Sequence, residues 1–447
     1  MKAATLGDII RYFNHQKPLT PADKKEWESF FIETRRKEIS LIKAEFLKST
    51  AGHKVLFGGH AGNGKSTELN KFIHEPQITD RFSIIKLDIQ EMLNPYDIEI
   101  VELLLAICFQ ILTFAEENNL SIGKYIKDRF QKLESFFHVE LKIESTRVDK
   151  KVGEVGIKGE AGGGLKLPFL KLKADFFTKM KGEAESRRIV RDEYRPRLKE
   201  LIELVKDLTA DVKCNLTEKE PLLIIDGLDR VSVKPAEKLF AEDGQNFAMI
   251  DNASMLLTVP ISLIHSVKSP VAESSIGKMH VLKNIRLLTQ DKKRDRETEK
   301  NWEIMKQAVL KRLEPRLISE KALEMAVYYS GGVFRTLIEL IVFAALESEV
   351  LKGTAIGERD MEEAVKEFRI KKARPLSRSH WEILLEIDEQ KKFIGEMDET
   401  RLELLAGLFA LEYINGDEWY SVNPLLESRL DEYRELFGTG KKVIIKK

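Results

Sequence analysis

Lys54-Val55-Leu56-Phe57-Gly58 runs into Gly59-His60-Ala61-Gly62-Asn63-Gly64-Lys65-Ser66, and the residues that follow carry Leu69, Phe72 and Ile73 at helical spacing. A short apolar strand, a Gly-rich loop and a helix stand here in the order that a phosphate-binding loop requires. A phosphate needs closely spaced backbone N–H donors and a cation, because its charge must be met in a site that excludes most water. Gly59, Gly62 and Gly64 let the loop wrap the phosphates, Lys65 reaches the β and γ oxygens, and Ser66 offers its hydroxyl to Mg²⁺. The helix that starts near Lys65 adds its positive dipole end. The candidate nucleotide-binding residues are therefore Gly59, His60, Ala61, Gly62, Asn63, Gly64, Lys65, Ser66 and Thr67. An ordinary Gly-rich turn accounts for the glycines, but not for Lys65-Ser66 at this spacing between strand and helix.

Working outward, Phe82 to Asp88 reads as a second strand, followed by a strongly apolar helix from Ile98 to Phe114. Leu222 to Ile225 and Met255 to Leu263 read as further buried strands. Strands alternating with helices predict an α/β fold with a parallel sheet of the P-loop NTPase kind. Asp226 closes the run Leu222-Leu223-Ile224-Ile225, so its carboxylate emerges at the carboxyl end of a buried strand, where α/β ligands bind. Beside a phosphate loop it is the candidate Mg²⁺ partner together with Ser66, although Asp226-Gly227 also suits a simple turn. Asp229 either orients and deprotonates an attacking water or caps the next helix. No Asn-Lys-x-Asp guanine signature is found, so ATP is preferred over GTP.

An insertion at about 138–182 breaks the alternation. Val139, Leu141 and Ile143, then Val152, Val155 and Ile157, alternate with polar residues among many glycines, which predicts a β-hairpin or flap. A Lys-rich stretch (Lys166, Lys171, Lys173, Lys179, Lys181) follows, then one long helix from about Glu183 to Cys214. Segments at Trp302–Leu313, Ser319–Tyr329, Thr336–Leu351 and Met361–Ile370 predict a small helical lid. Beyond Pro375, two amphipathic helices and the apolar runs around Asn415-Gly416 predict a winged-helix-like unit. The expected division is 1–50 as an N-terminal helical segment, 51–290 as the ATPase domain with its insertion, 291–374 as the lid, and 375–447 as the winged-helix-like domain with a basic tail.

Of the 447 residues, Lys plus Arg and Asp plus Glu both total 73, so no global field draws the chain to nucleic acid or an anionic membrane. Cys108 and Cys214 lie far apart without a metal-binding spacing, which suits a reducing cytoplasm. No run has the pattern of an export signal or a membrane span, and neither export nor a membrane role is expected.

Gly59 to Leu69, Leu222-Leu223-Ile224-Ile225-Asp226-Gly227-Leu228-Asp229-Arg230 and Ser330-Gly331-Gly332-Val333-Phe334-Arg335 together resemble prokaryotic AAA+ and STAND-like ATPases of the initiator, Orc-like branch, over roughly residues 30–370. The resemblance implies binding and hydrolysis of ATP with Mg²⁺, catalytic duty for Lys65, Asp226, Asp229 and Arg335, and Arg335 as the lid arginine that reaches the γ-phosphate. It puts Thr258 in the sensor 1 place. It also implies an arginine finger from a neighbouring subunit, for which Arg230, Arg294 and Arg296 are candidates. Many AAA+ proteins place Glu directly after the acid of the second motif. This chain has Gly227 there and the next acid at Asp229, a pattern more like STAND proteins and suited to slow, switch-like hydrolysis. The expected role is a nucleotide-controlled switch or homo-oligomerising regulator of a partner effector, with prokaryotic phage defence as the setting. The alternative is a DNA-binding ATPase of replication-initiator or transposition-regulator type. Nucleic acid is not favoured, because the helix Thr400 to Phe409 has Arg401 as its one basic residue and follows Glu396, Asp398 and Glu399.

Overall fold

The computed structural model describes residues 2–13, 17–34, 36–141, 166–216 and 218–437. Its centre is a parallel sheet of β1 (Lys54–Gly58), β2 (Phe82–Asp88), β3 (Glu220–Asp226), β4 (Ser254–Thr258) and β5 (Met279–Val281), in the order β2-β3-β4-β1-β5. The strands are nearly continuous apolar runs because both faces are covered. Leu56, Ile85, Leu223, Ile225, Met255 and Leu257 pack toward the helix Ile100–Glu117. Their neighbours Val55, Phe57, Leu222, Ile224 and Leu256 pack toward Phe46, Leu69 and Phe72 on the other face. This two-residue alternation inside an all-apolar strand is what a doubly covered sheet demands. Register sets Asp88 beside Asp226 and Phe57 beside Thr258, so the carboxyl ends line up.

Three local expectations change. The fourth strand ends at Thr258 rather than Leu263, since Pro260 cannot donate to a ladder and instead precedes the helix Ile261–His265. Val139 ends the helix Lys124–Val139 instead of opening a hairpin, and Leu141 is buried beyond it. Ile143, Val152, Val155, Ile157 and the glycines from 153 to 164 lie outside the described residues. The Lys-rich stretch forms the helix Lys166–Gly182, in which Phe169, Phe176 and Phe177 stack around Phe109. Lys173 Nζ donates to Thr113 Oγ1 at 2.8 Å and to Gln110 Oε1 at 3.1 Å, so this lysine braces the core. The long helix then divides into Ala184–Tyr194 and Leu198–Asn215, where Pro196 removes a backbone donor.

The helices Arg296–Leu310, Glu320–Ser330, Phe334–Val350 and Glu358–Ala373 form a bundle around Met305, Leu337, Ile341 and Ala344. Leu6 and Ile9 of the N-terminal helix Leu6–Tyr12 complete that core. Pro21 lies in a turn before the helix Lys24–Phe30. The helices Arg378–Gln390 and Glu399–Ala406, the antiparallel pair β6 (Ala410–Asn415) and β7 (Asp417–Val422), and the helix Glu427–Phe437 make the winged-helix-like unit. Leu404 and Leu405 pack with Ile261, which seats this unit against the sheet domain. Residues 438–447, with the basic tail, lie outside the described set, and no described helix is long and apolar enough to cross a membrane.

Candidate functional site

The loop between β1 and the helix Lys65–Ile73 is held from three sides. Asn63 Nδ2 donates to the carbonyls of Leu282 and Lys283 at 3.0 and 3.2 Å, tying the loop to the end of β5. Lys65, only 3% exposed, donates to the carbonyls of Gly59 and His60 at 2.9 Å each and pairs with Asp229 Oδ2 at 2.7 Å. Gly62 sits at φ +75°, and a Cβ there would come within 2.6 Å of Arg335 Cβ. Only glycine allows both the left-handed backbone and this approach.

Ser66 lies near enough to Asp226 to favour its carboxylate, so the candidate metal pair is brought together across the loop and β3. Asp226 is 2% exposed, and its Oδ1 accepts from Gly227 N at 2.8 Å. Burial, followed by the nearby Asp229 charge, pushes its pKa up to about 6. Lys86 Nζ, 3.9 Å from Asp226 Oδ2, opposes that shift and donates to Asn70 Oδ1 at 2.6 Å. Thr258, fully buried, accepts from Leu228 N at 3.0 Å and donates to the Ile225 carbonyl at 3.3 Å. Its hydroxyl thereby fixes the turn that aims Asp229 at Lys65.

Arg335 arrives from the helical bundle, in the first turn of Phe334–Val350. Its backbone N–H donates to the Gly62 carbonyl at 3.2 Å, and its buried Nε has no hydrogen-bond partner among the described residues. Burial, then the neighbouring Arg230 charge, lowers the guanidinium pKa from its usual range. An orphaned buried guanidinium nitrogen at the mouth of this loop has the capacity to hold an anion. Arg230 faces the same cavity within this chain, while Arg294 lies over the Trp302 ring at 3.6 Å. Arg296 opens the helix Arg296–Leu310.

Together these residues wall a cavity of about 790 Å³, lined by Gly62, Gly64, Lys65, Ser66, Thr67, Asp229 and Arg335. Its other wall, which sequence reasoning missed, is the N-terminal segment with Tyr12, Phe13, Phe30 and Phe31, plus Arg312 and Ile338 of the bundle. Leu19 is the fastening: its N–H donates to Thr67 Oγ1 at 3.3 Å and its carbonyl accepts from Asn70 Nδ2 at 2.9 Å. The Thr67 hydroxyl therefore holds this segment. Asp88 and Gln90 also line the cavity. The signal for Asp88 was available, since it closes β2 as Asp226 closes β3; nothing in the sequence marked Tyr12, Phe13, Phe30 and Phe31 as a wall.

The sheet order, the loop between β1 and its helix, the helical lid and the winged-helix-like unit define a P-loop NTPase fold. No protein-family model matches the chain, and no curated protein matches it. Among solved structures it is similar to a Walker-type ATPase of Pyrococcus abyssi, with 17% identity over 94% of this chain and 99% of that one and a TM-score of 0.43. It is also similar to the Aeropyrum pernix ORC2 protein (12% identity, 95% and 96% covered, TM-score 0.42) and to the Thermotoga maritima RuvB Holliday junction branch migration motor (15% identity, 95% and 98% covered, TM-score 0.38).

Proposed function

We propose that the protein binds and slowly hydrolyses ATP as an AAA+/STAND-like switch that regulates a partner effector, self-associating when loaded. The observation that carries this reading is the convergence of Lys65, paired with Asp229, and Arg335, with its unpartnered Nε, on one cavity from two packed units. A bound phosphate gives Lys65 a stronger partner than Asp229, and a terminal phosphate gives Arg335 an anion, so the Arg335 contact distinguishes ATP from ADP. Differential contacts of that kind are what shift a two-state equilibrium.

The residues present fit a Mg²⁺ ion, because the Ser66 hydroxyl stands near the buried Asp226 carboxylate. Such an ion, held by Ser66 and Asp226, would supply neutralisation of phosphate charge. Lys65 neutralises phosphate charge from the loop side. Asp229, freed from Lys65, orients the attacking water and accepts its proton. Arg335 stabilises the terminal phosphate from the bundle side.

Phosphate release from ATP should fall about 100-fold or more in Lys65→Ala and Asp226→Ala, the scale expected when a preorganised charge contact is lost. Equal release by wild type and both variants removes the enzyme reading. The DNA-binding alternative finds little in the helix Glu399–Ala406, whose Leu404 and Leu405 pack with Ile261 and whose exposed face carries Glu399 and Glu403. Duplex binding that weakens steeply with salt would favour that alternative.

A further inference from the structure

Phosphate chemistry alone asks nothing of the side chain at position 60, yet the His60 ring is almost completely buried and engaged from 352 residues away. The backbone N–H of Glu412, in β6, donates to His60 Nε2 at 2.8 Å. The Leu405 carbonyl, from the helix before β6, also faces the ring, while Nδ1 makes no well-formed hydrogen bond among the described residues. Burial, then the charge of Lys65, pulls the imidazole pKa down to about 3, which keeps the ring a neutral acceptor.

The same strand grips the turn that carries Arg335. Tyr413 Oη donates to the Gly331 carbonyl at 2.8 Å, and a Cβ on Gly331 would lie 2.4 Å from Leu411 Cδ1. Leu411, Tyr413 and Trp419 enclose Val333 in a small apolar cluster. One hairpin thus touches both halves of the cleft, the phosphate loop at His60 and the Arg335 turn at Gly331 to Val333.

We infer that the β6–β7 hairpin is a nucleotide-responsive brace on the phosphate loop, with His60 as the positioning residue that links them. This rests on reading the cleft as the nucleotide site. Lys65 Nζ donates to the carbonyl of His60 itself, at 2.9 Å. Drawing that ammonium onto a phosphate takes a donor from the residue whose ring holds the hairpin, so the phosphate contact and the hairpin contact meet at one backbone unit. Coupling of this kind is reciprocal: whatever nucleotide does to the hairpin, the hairpin does to nucleotide affinity.

The test is backbone amide exchange across Ala410–Val422 in the full chain, with and without ADP and Mg²⁺, alongside the affinity for a fluorescent ADP. In the wild type, bound nucleotide slows exchange in β6 about fivefold or more, the lower end of typical couplings. His60→Leu binds ADP more weakly by the same factor, and its hairpin exchange no longer responds. His60→Gln, whose amide oxygen can replace Nε2 as acceptor, restores both. Tyr413→Phe, which leaves the loop untouched, weakens ADP binding in the same direction. Unchanged wild-type exchange while ADP is bound, or a full response in His60→Leu, overturns the inference alone. Failure of the wild type to bind nucleotide overturns the reading of the cleft and this inference with it.

Discussion

Asp226 shows what burial does to a single carboxyl. Its pKa is raised, so the folded protein holds the proton more tightly than the unfolded chain does. The protonated carboxyl therefore favours the fold at low pH, and that contribution is lost as pH rises from about 4 through about 6. Asp226→Asn keeps an acceptor for Gly227 N–H and removes the charge, so without nucleotide or Mg²⁺ it should be more stable than wild type at pH 8, by on the order of 1 to 3 kcal/mol, and no more stable at pH 4. Thermal unfolding at both pH values checks this; an equal gain at both would show that the carboxylate is not strained by burial. At this scale the sequence located Lys65 and Ser66 at the start of their helix and Asp226 at the end of its strand, because strand, loop and helix order constrain where they stand. It was silent on what Lys65 does before nucleotide arrives, since the Asp229 pair joins positions whose proximity only the sheet creates.

The helix Phe334–Val350 is the element that turns a loop into a cleft, because its first turn lays Arg335 against Gly62. Arg335→Ala should weaken binding of a slowly hydrolysed ATP analogue by roughly 10-fold or more, as expected for a charge-assisted hydrogen bond, and change ADP binding little. Competition against a fluorescent nucleotide measures both; equal losses would mean that Arg335 does not contact the terminal phosphate. Sequence periodicity found the helices of the bundle to within three residues at their ends, except that Arg296–Leu310 starts six residues before the expected Trp302. It failed in the Lys-rich segment. Phe169, Leu172, Phe176 and Met180 keep helical spacing, but the lysines between them mask that stripe, whose apolar partner is Phe109. Pro260 was the missed stop signal after Thr258.

At the scale of the whole molecule, the sheet domain, the helical bundle and the winged-helix-like unit all meet at the phosphate loop. If the protein is a switch, its hydrodynamic size or scattering profile with a slowly hydrolysed ATP analogue should differ from that with ADP, either by self-association or by a change of shape. Identical mass and profile in both would sink the switch and leave only a nucleotide-binding fold. The order of elements along the chain made this architecture legible, while the docking of units on one another was not, since it depends on pairs such as Ile261 with Leu404 that share no local pattern. The bond between Glu412 and His60 also has a history in time. Its partners are 352 residues apart, so at ribosomal speeds of about 5 to 20 residues per second the loop emerges roughly 18 to 70 s before the strand that braces it. For that interval the nascent sheet can form with its loop unbraced, and the completed cleft is among the last parts of the molecule to be made.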